Sequence, residues 1–159
     1  MKILVAGIGN IFLGDDGFGV EVATRLAAEP VPDGVSVGEY GIRGMHLAYE
    51  LMSGYDVTIL IDATARGEVP GTVTVLELDT TAPAEPPPVS AHEMTPDSVL
   101  DFVHLLGGTP GRVLLVGCEP ASLDPGIGLS EPVAAAVTPA AAEVHALVAE
   151  LLVPAGKGV

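Results

Sequence analysis

Val57-Thr58-Ile59-Leu60-Ile61 is a run of five residues, aliphatic throughout except for Thr58. It is too short for a helix and too continuously apolar for a half-exposed strand. It therefore reads as a strand buried on both faces, the pattern of a parallel sheet covered by helices on each side. Working outward toward the amino end, Gly44 to Met52 places Met45, Leu47, Ala48, Leu51 and Met52 at helical spacing. Val35 to Tyr40 forms a second strand, Phe18 to Ala28 an amphipathic helix, and Lys2 to Ala6 a first strand that ends at Gly7. Strand, helix, strand, helix, strand is the order of an open parallel α/β sheet.

Toward the carboxyl end the pattern breaks. Ala63 to Gly71 is too short and too rich in Gly and Pro to hold a crossover helix, so the strand at Val73 to Leu78 is expected to run antiparallel. Thr80 to Ser90, with Pro83 and Pro86 to Pro88, reads as an extended polyproline-like loop that leads to His92. Thr95 and Pro96 look like the N-cap and first residue of a helix ending near Leu106, and Val113 to Gly117 is the last central strand. A C-terminal helix spans Val133 to Leu152, with Pro139 expected to kink or restart it.

The 159 residues suit one domain, taken as 1–153, with 154–159 as a frayed tail. Twenty-one acidic against six basic residues give a formal charge of −15, which repels phosphate backbones and anionic lipid. Neither nucleic acid nor a membrane is expected as a partner. A single cysteine, Cys118, excludes an internal disulfide. MKILVAGIGN runs straight into a strand and glycine turn without signal-peptide architecture, so the cytoplasm is the expected compartment. No apolar run is expected to approach bilayer-spanning length, the longest being strand-like stretches such as Val57 to Ile61.

In an open α/β sheet, ligands bind at the carboxyl ends of the strands. That edge collects Asp15 and Asp16 after the first strand, Asp62 ending the third, His92 before the third helix and Glu119 after the last strand. Dinucleotide binding fails here: Gly7 and Gly9 are followed by Phe12 at the third glycine position, and two aspartates stand where a pyrophosphate would lie. A phosphoacceptor receiver also fails, because it needs a lysine after the last strand and the lysines are Lys2 and Lys157. Two carboxylates and an imidazole, Asp16, Asp62 and His92, remain as an open three-ligand set suited to a borderline metal such as Ni²⁺ or Zn²⁺. Each has a plain alternative: Asp16 as a helix cap, Asp62 as a turn cap, His92 as a solvated loop residue. Cys118 paired with His92 is a competing nucleophile, although a strand-end cysteine among aliphatic neighbours reads better as core. Arg43, between Gly41 and Gly44, is a candidate grip on a substrate carboxylate or carbonyl. His46, His104 and His145 fall in helices and read as surface or interface positions.

GIGNIFLGDDGFGVEVATRL (Gly7 to Leu26), GIRGMHLAYEL (Gly41 to Leu51), ILIDAT (Ile59 to Thr64) and GCEPASLDPGIGLSEPV (Gly117 to Val133) together resemble the hydrogenase maturation endopeptidases. The most specific part is GNxxxxDDxxG combined with an aspartate at the end of the third strand. The resemblance implies a three-layer α/β/α sandwich around a five-stranded, mostly parallel sheet with one antiparallel strand. It implies removal of a C-terminal extension from the precursor of the [NiFe]-hydrogenase large subunit after nickel insertion, with no small-molecule cofactor. The nickel is carried by the precursor, and Asp16, Asp62 and His92 match the family's nickel-contacting residues. The chain departs from the family pattern at Asp16, where glutamate is common, and at Glu39-Tyr40-Gly41-Ile42, where many members have an aspartate and paired glycines before a threonine. With no HExxH motif and no complete protease triad, the alternative is a non-catalytic metal-dependent binding or chaperone module.

Overall fold

The structure, a computed structural model, describes residues 1–82 and 95–154. The strands are β1 (Ile3–Ile8), β2 (Val35–Gly41), β3 (Val57–Ala63), β4 (Val73–Glu77) and β5 (Arg112–Cys118). The helices are α1 (Phe18–Ala27), α2 (Gly44–Leu51), α3 (Pro96–Leu105) and α4 (Glu131–Leu151), and a 3-10 turn at Gly14–Gly17 precedes α1. They build one five-stranded sheet in the order β2-β1-β3-β5-β4. β1, β2, β3 and β5 are parallel, and β4 pairs antiparallel to β5 from Val73↔Cys118 to Glu77↔Leu114. The short β3–β4 connection explains that direction, since it lacks the residues a parallel return requires.

Strand alternation divides the core in two. Ile3, Val5, Ile59, Ile61, Leu114 and Val116 point to one face, where Phe18, Val22 and Leu26 of α1 and Val133, Ala140 and Val144 of α4 cover them. Leu4, Ala6, Ile8, Leu60, Val113 and Leu115 point to the other, beneath Leu47 and Leu51 of α2 and Val99 and Val103 of α3. β3 is central and buried from Val57 to Asp62. This is the expected three-layer α/β/α sandwich.

Two expectations about α4 need correction. Of the kink or restart expected at Pro139, the restart is ruled out, because the helix runs from Glu131 to Leu151 as one element with the proline inside it. Pro139 and Ala135 both lie on its exposed side, so the carbonyl that proline leaves without an N–H partner faces water. Glu131–Leu151 is also long and apolar enough, by length and composition, to cross a bilayer. The expectation that no apolar stretch reaches that length is therefore corrected: alanines and valines keep the helix apolar across its few polar residues. Its stripe of Val133, Ala136, Val137, Ala140, Ala141, Val144 and Val148 is nevertheless packed into the core beside α1 and the sheet. Most of the proline-rich stretch, His92 and the end of the tail lie outside the described residues.

Candidate functional site

From β1 the chain moves outward to β2, then returns past β1 to form β3 on its other side. Such a reversal opens a crevice at the carboxyl ends of the two strands, because their connections leave in opposite directions. Asp62 lies at the end of β3, and the segment from Gly9 to Gly17 follows β1.

Glycines bring these segments into contact. A Cβ on Gly19, in the first turn of α1, would lie 2.0 Å from the Ile61 carbonyl oxygen and 2.4 Å from that of Ile8. The helix can therefore press directly on both strands only without a side chain there. Gly9 has φ +126°, and its Cβ would stand 2.0 Å from the Asp16 carbonyl oxygen and 3.4 Å from Asp62 Oδ1. The turn that carries Asp16 thus folds over Gly9 toward the Asp62 carboxylate. Asn10 completes the turn: its backbone N–H donates to Asp16 Oδ2 at 2.7 Å, and its side-chain Oδ1 accepts from the Phe12 N–H at 2.9 Å. Asn10 was missed in the sequence, although asparagine opening a turn two residues long is a recognisable signal.

Asp16 does not cap α1, whose N-cap is Gly17 with no side-chain bond. It is half-buried, and burial raises its carboxyl above the ordinary value against the opposing Asn10 N–H. Asp62 is 3% exposed, and its Oδ1 accepts a hydrogen bond of 2.8 Å from the N–H of Ala63. Burial, and then the neighbouring Asp16 charge, push its carboxyl well above the ordinary range despite that bond. Burial and a like charge both disfavour the ionised form of Asp62. Among the described residues no group of three or more His, Cys, Asp or Glu could hold a metal ion. Two of the three expected ligands, Asp16 and Asp62, come together, and His92 lies outside the described residues.

Other acids of this edge are spent on structure. Asp15, 1% exposed, accepts from the N–H groups of Ala121, Ser122 and Ser130 and from the Ser130 hydroxyl, at 2.7–3.1 Å. Burial raises its carboxyl, but those donors together outweigh it and hold it below the usual value. Glu119 accepts from the N–H groups of Arg66 and Gly67 and so fastens the β3–β4 connection. Cys118 is fully buried with Val116 on the α1/α4 face, whereas Asp62 follows Leu60 onto the opposite face. Burial, with Asp15 and Glu119 nearby, pushes its thiol up to about 11, so it stays protonated at neutral pH. Arg43 donates from Nε to the Tyr40 carbonyl and from Nη2 to the Glu39 carbonyl, bracing the β2–α2 turn at the rim. His46 and His145 are exposed, the latter 2.7 Å from Glu29, and His104 is half-buried near the end of α3.

The profile of the family described as "Hydrogenase maturation protease" matches residues 20–147. The "Hydrogenase 2 maturation protease" of Escherichia coli K12 is 34% identical over 94% of this chain and 92% of its own length. The "Hydrogenase expression/formation protein HupM" of Azotobacter chroococcum is 37% identical over 94% of this chain and 72% of its own. Among solved structures, the hydrogenase maturating endopeptidase HybD from E. coli superposes with a TM-score of 0.77 at 31% identity, covering 96% of this chain and 94% of its own. The hydrogenase 2 maturation peptidase of a Thaumarchaeota archaeon gives 0.72 at 31% identity, covering 94% and 99%. A family profile spanning most of the chain, full-length relatives and the shared fold agree: this chain belongs to the hydrogenase maturation protease family and is a hydrogenase maturation endopeptidase.

Proposed function

We propose that the chain removes the C-terminal extension of a [NiFe]-hydrogenase large-subunit precursor once nickel has been inserted, and that it recognises the nickel the precursor carries. The observation that carries this reading is Asp62: nearly sealed from solvent, hydrogen-bonded to Ala63 and beside a second acid. An ionised carboxylate so placed is costly unless a cation or a proton meets it. A precursor presenting nickel through its own ligands supplies that cation. Asp16, Asp62 and His92 then fill the remaining positions of a metal that accepts mixed oxygen and nitrogen donors.

In this account the buried Asp62, whose ionised form is disfavoured, becomes a full carboxylate as the substrate's cation docks between it and Asp16. Docking places the peptide bond that follows the nickel-bearing segment against the crevice, and Asp16 or Asp62, now ionised, is positioned to accept a proton from the attacking water. A precursor without nickel leaves the two acids facing each other and is not held. Cleavage thereby follows metal insertion.

Incubating the purified chain with nickel-loaded and nickel-free precursor, and following the length of the large subunit by mass spectrometry, tests this. Shortening of the loaded precursor alone is expected. Equal shortening of both would remove nickel from the recognition step.

A further inference from the structure

The loop that carries Asp16 also carries a surface for which the chemistry above has no use. Ile11 and Phe12, in the loop after β1, are 45% and 60% exposed, and Leu123 and Ile127, in the loop after β5, are 46% and 79% exposed. Large apolar side chains are normally scattered singly over a surface. Here four of them stand on two loops that are joined backbone to backbone. Leu13 and Gly126 form a parallel bridge, the Gly126 N–H donates to the Phe12 carbonyl at 2.8 Å, and the Gly14 N–H donates to the Gly126 carbonyl at 2.9 Å. The Asp15 N–H donates to the Ser122 carbonyl at 3.0 Å, while its buried carboxylate gathers the donors of Ala121, Ser122 and Ser130. Asp15 is 1% exposed and its carboxylate is taken up by those donors, so it fixes the platform from within. A shallow depression of about 340 Å³ opens along the loop after β5, where Ile127 and Leu129 border it together with Asp124 and Ser130.

We infer that this platform is the docking surface for an apolar segment of the precursor adjoining the scissile bond, an inference that rests on the substrate assigned above. The occupant follows from continuity with the acids. Ile11 and Phe12 share with Asp16 the single loop after β1 whose turn is tied by the Asn10 N–H. A chain that reaches Asp16 and Asp62 from this side passes over them. Holding the platform rigid before the substrate arrives spares the ordering cost that a flexible apolar loop would incur on binding. Apolar contacts around a buried polar centre also exclude water from it, which strengthens the carboxylate–cation attraction inside.

The test measures binding and cleavage separately, with nickel-loaded precursor and the full chain. Phe12→Ser combined with Ile127→Ser is compared with wild type and with Leu105→Ser, an equally exposed residue at the end of α3, away from the crevice. Both altered proteins should melt like wild type, because none of the changed side chains is in the core. Calorimetric Kd and KM for the double variant are expected to rise at least about 10-fold, with kcat at saturation within about 2-fold and Leu105→Ser unchanged. Unaltered Kd in the double variant overturns the platform, whether or not cleavage depends on nickel. An equal loss in Leu105→Ser also overturns it, since the effect would then be general. If wild type binds the precursor through the platform but cleaves loaded and nickel-free forms alike, the docking surface stands and the nickel-recognition reading falls.

Discussion

Asp15 and Asp16 are consecutive, yet they belong to opposite kinds of region. Asp15 sits in the joint between the β1–α1 and β5–α4 loops, where four donors surround its carboxylate. Asp16 turns the other way, into the crevice, where the Asn10 N–H binds it and Asp62 stands nearby. Burial raises the carboxyl in both places; hydrogen bonds reverse the effect in the joint and fail to do so in the crevice. A well-supplied carboxylate is architecture. A poorly supplied one beside a like charge is stability given up, and the proposed substrate cation is what would recover it.

Removing the joint should have the largest effect on folding. Asp15→Ala leaves three N–H groups and a hydroxyl without their buried acceptor and unties the two loops, and a loss of about 3 kcal/mol in chemical denaturation is expected. A loss below about 1 kcal/mol would mean the two loops hold together without it. The pH dependence sharpens the contrast next. Asp15, held below its unfolded value of 3.8, contributes stability that is present above pH 3.8 and fades as pH falls through its lower folded value. Asp62, raised above 3.8, contributes stability that is full below pH 3.8 and is lost as pH rises through its folded value. Carboxyl ¹³C titration should therefore show Asp15 protonating below 3.8 and Asp62 well above it, and a reversed order would dissolve the distinction. The smallest effect is expected at Cys118. Cys118→Ser places a hydroxyl among aliphatic side chains on the face opposite Asp62, costing about 1–2 kcal/mol of stability while leaving cleavage near wild type. Complete loss of cleavage in a folded Cys118→Ser protein would restore the thiol as nucleophile.

The fold was legible because its signals are local. The apolar run at Val57 to Ile61, the short Gly- and Pro-rich link after it and the Thr95-Pro96 cap each specify one element from a few neighbouring residues. That Pro139 would not break α4 in two was not legible, because its tolerance depends on which side of the helix faces solvent, a tertiary fact. Asp16 and Asp62 were legible as residues of one sheet edge, since strand order places both there. Which acids are structural and which are exposed to chemistry was not legible. Glu119 and Asp15 look equally available in the sequence, and only the donors brought from residues 66–67 and 121–130 distinguish them. The Gly9 and Gly19 contacts that bring Asp16 against Asp62 likewise arise only after the chain has crossed the sheet.

The central claim is that Asp62 serves the reaction at the expense of the fold, and Asp62→Asn tests it in a single protein. Asparagine keeps the acceptor for the Ala63 N–H while removing the group that can ionise. At pH 7 the variant should be more stable than wild type by about 1–2 kcal/mol, a gain that vanishes toward pH 4, and should cleave nickel-loaded precursor at least about 100-fold more slowly. A variant that is no more stable than wild type and cleaves at the wild-type rate would contradict the account.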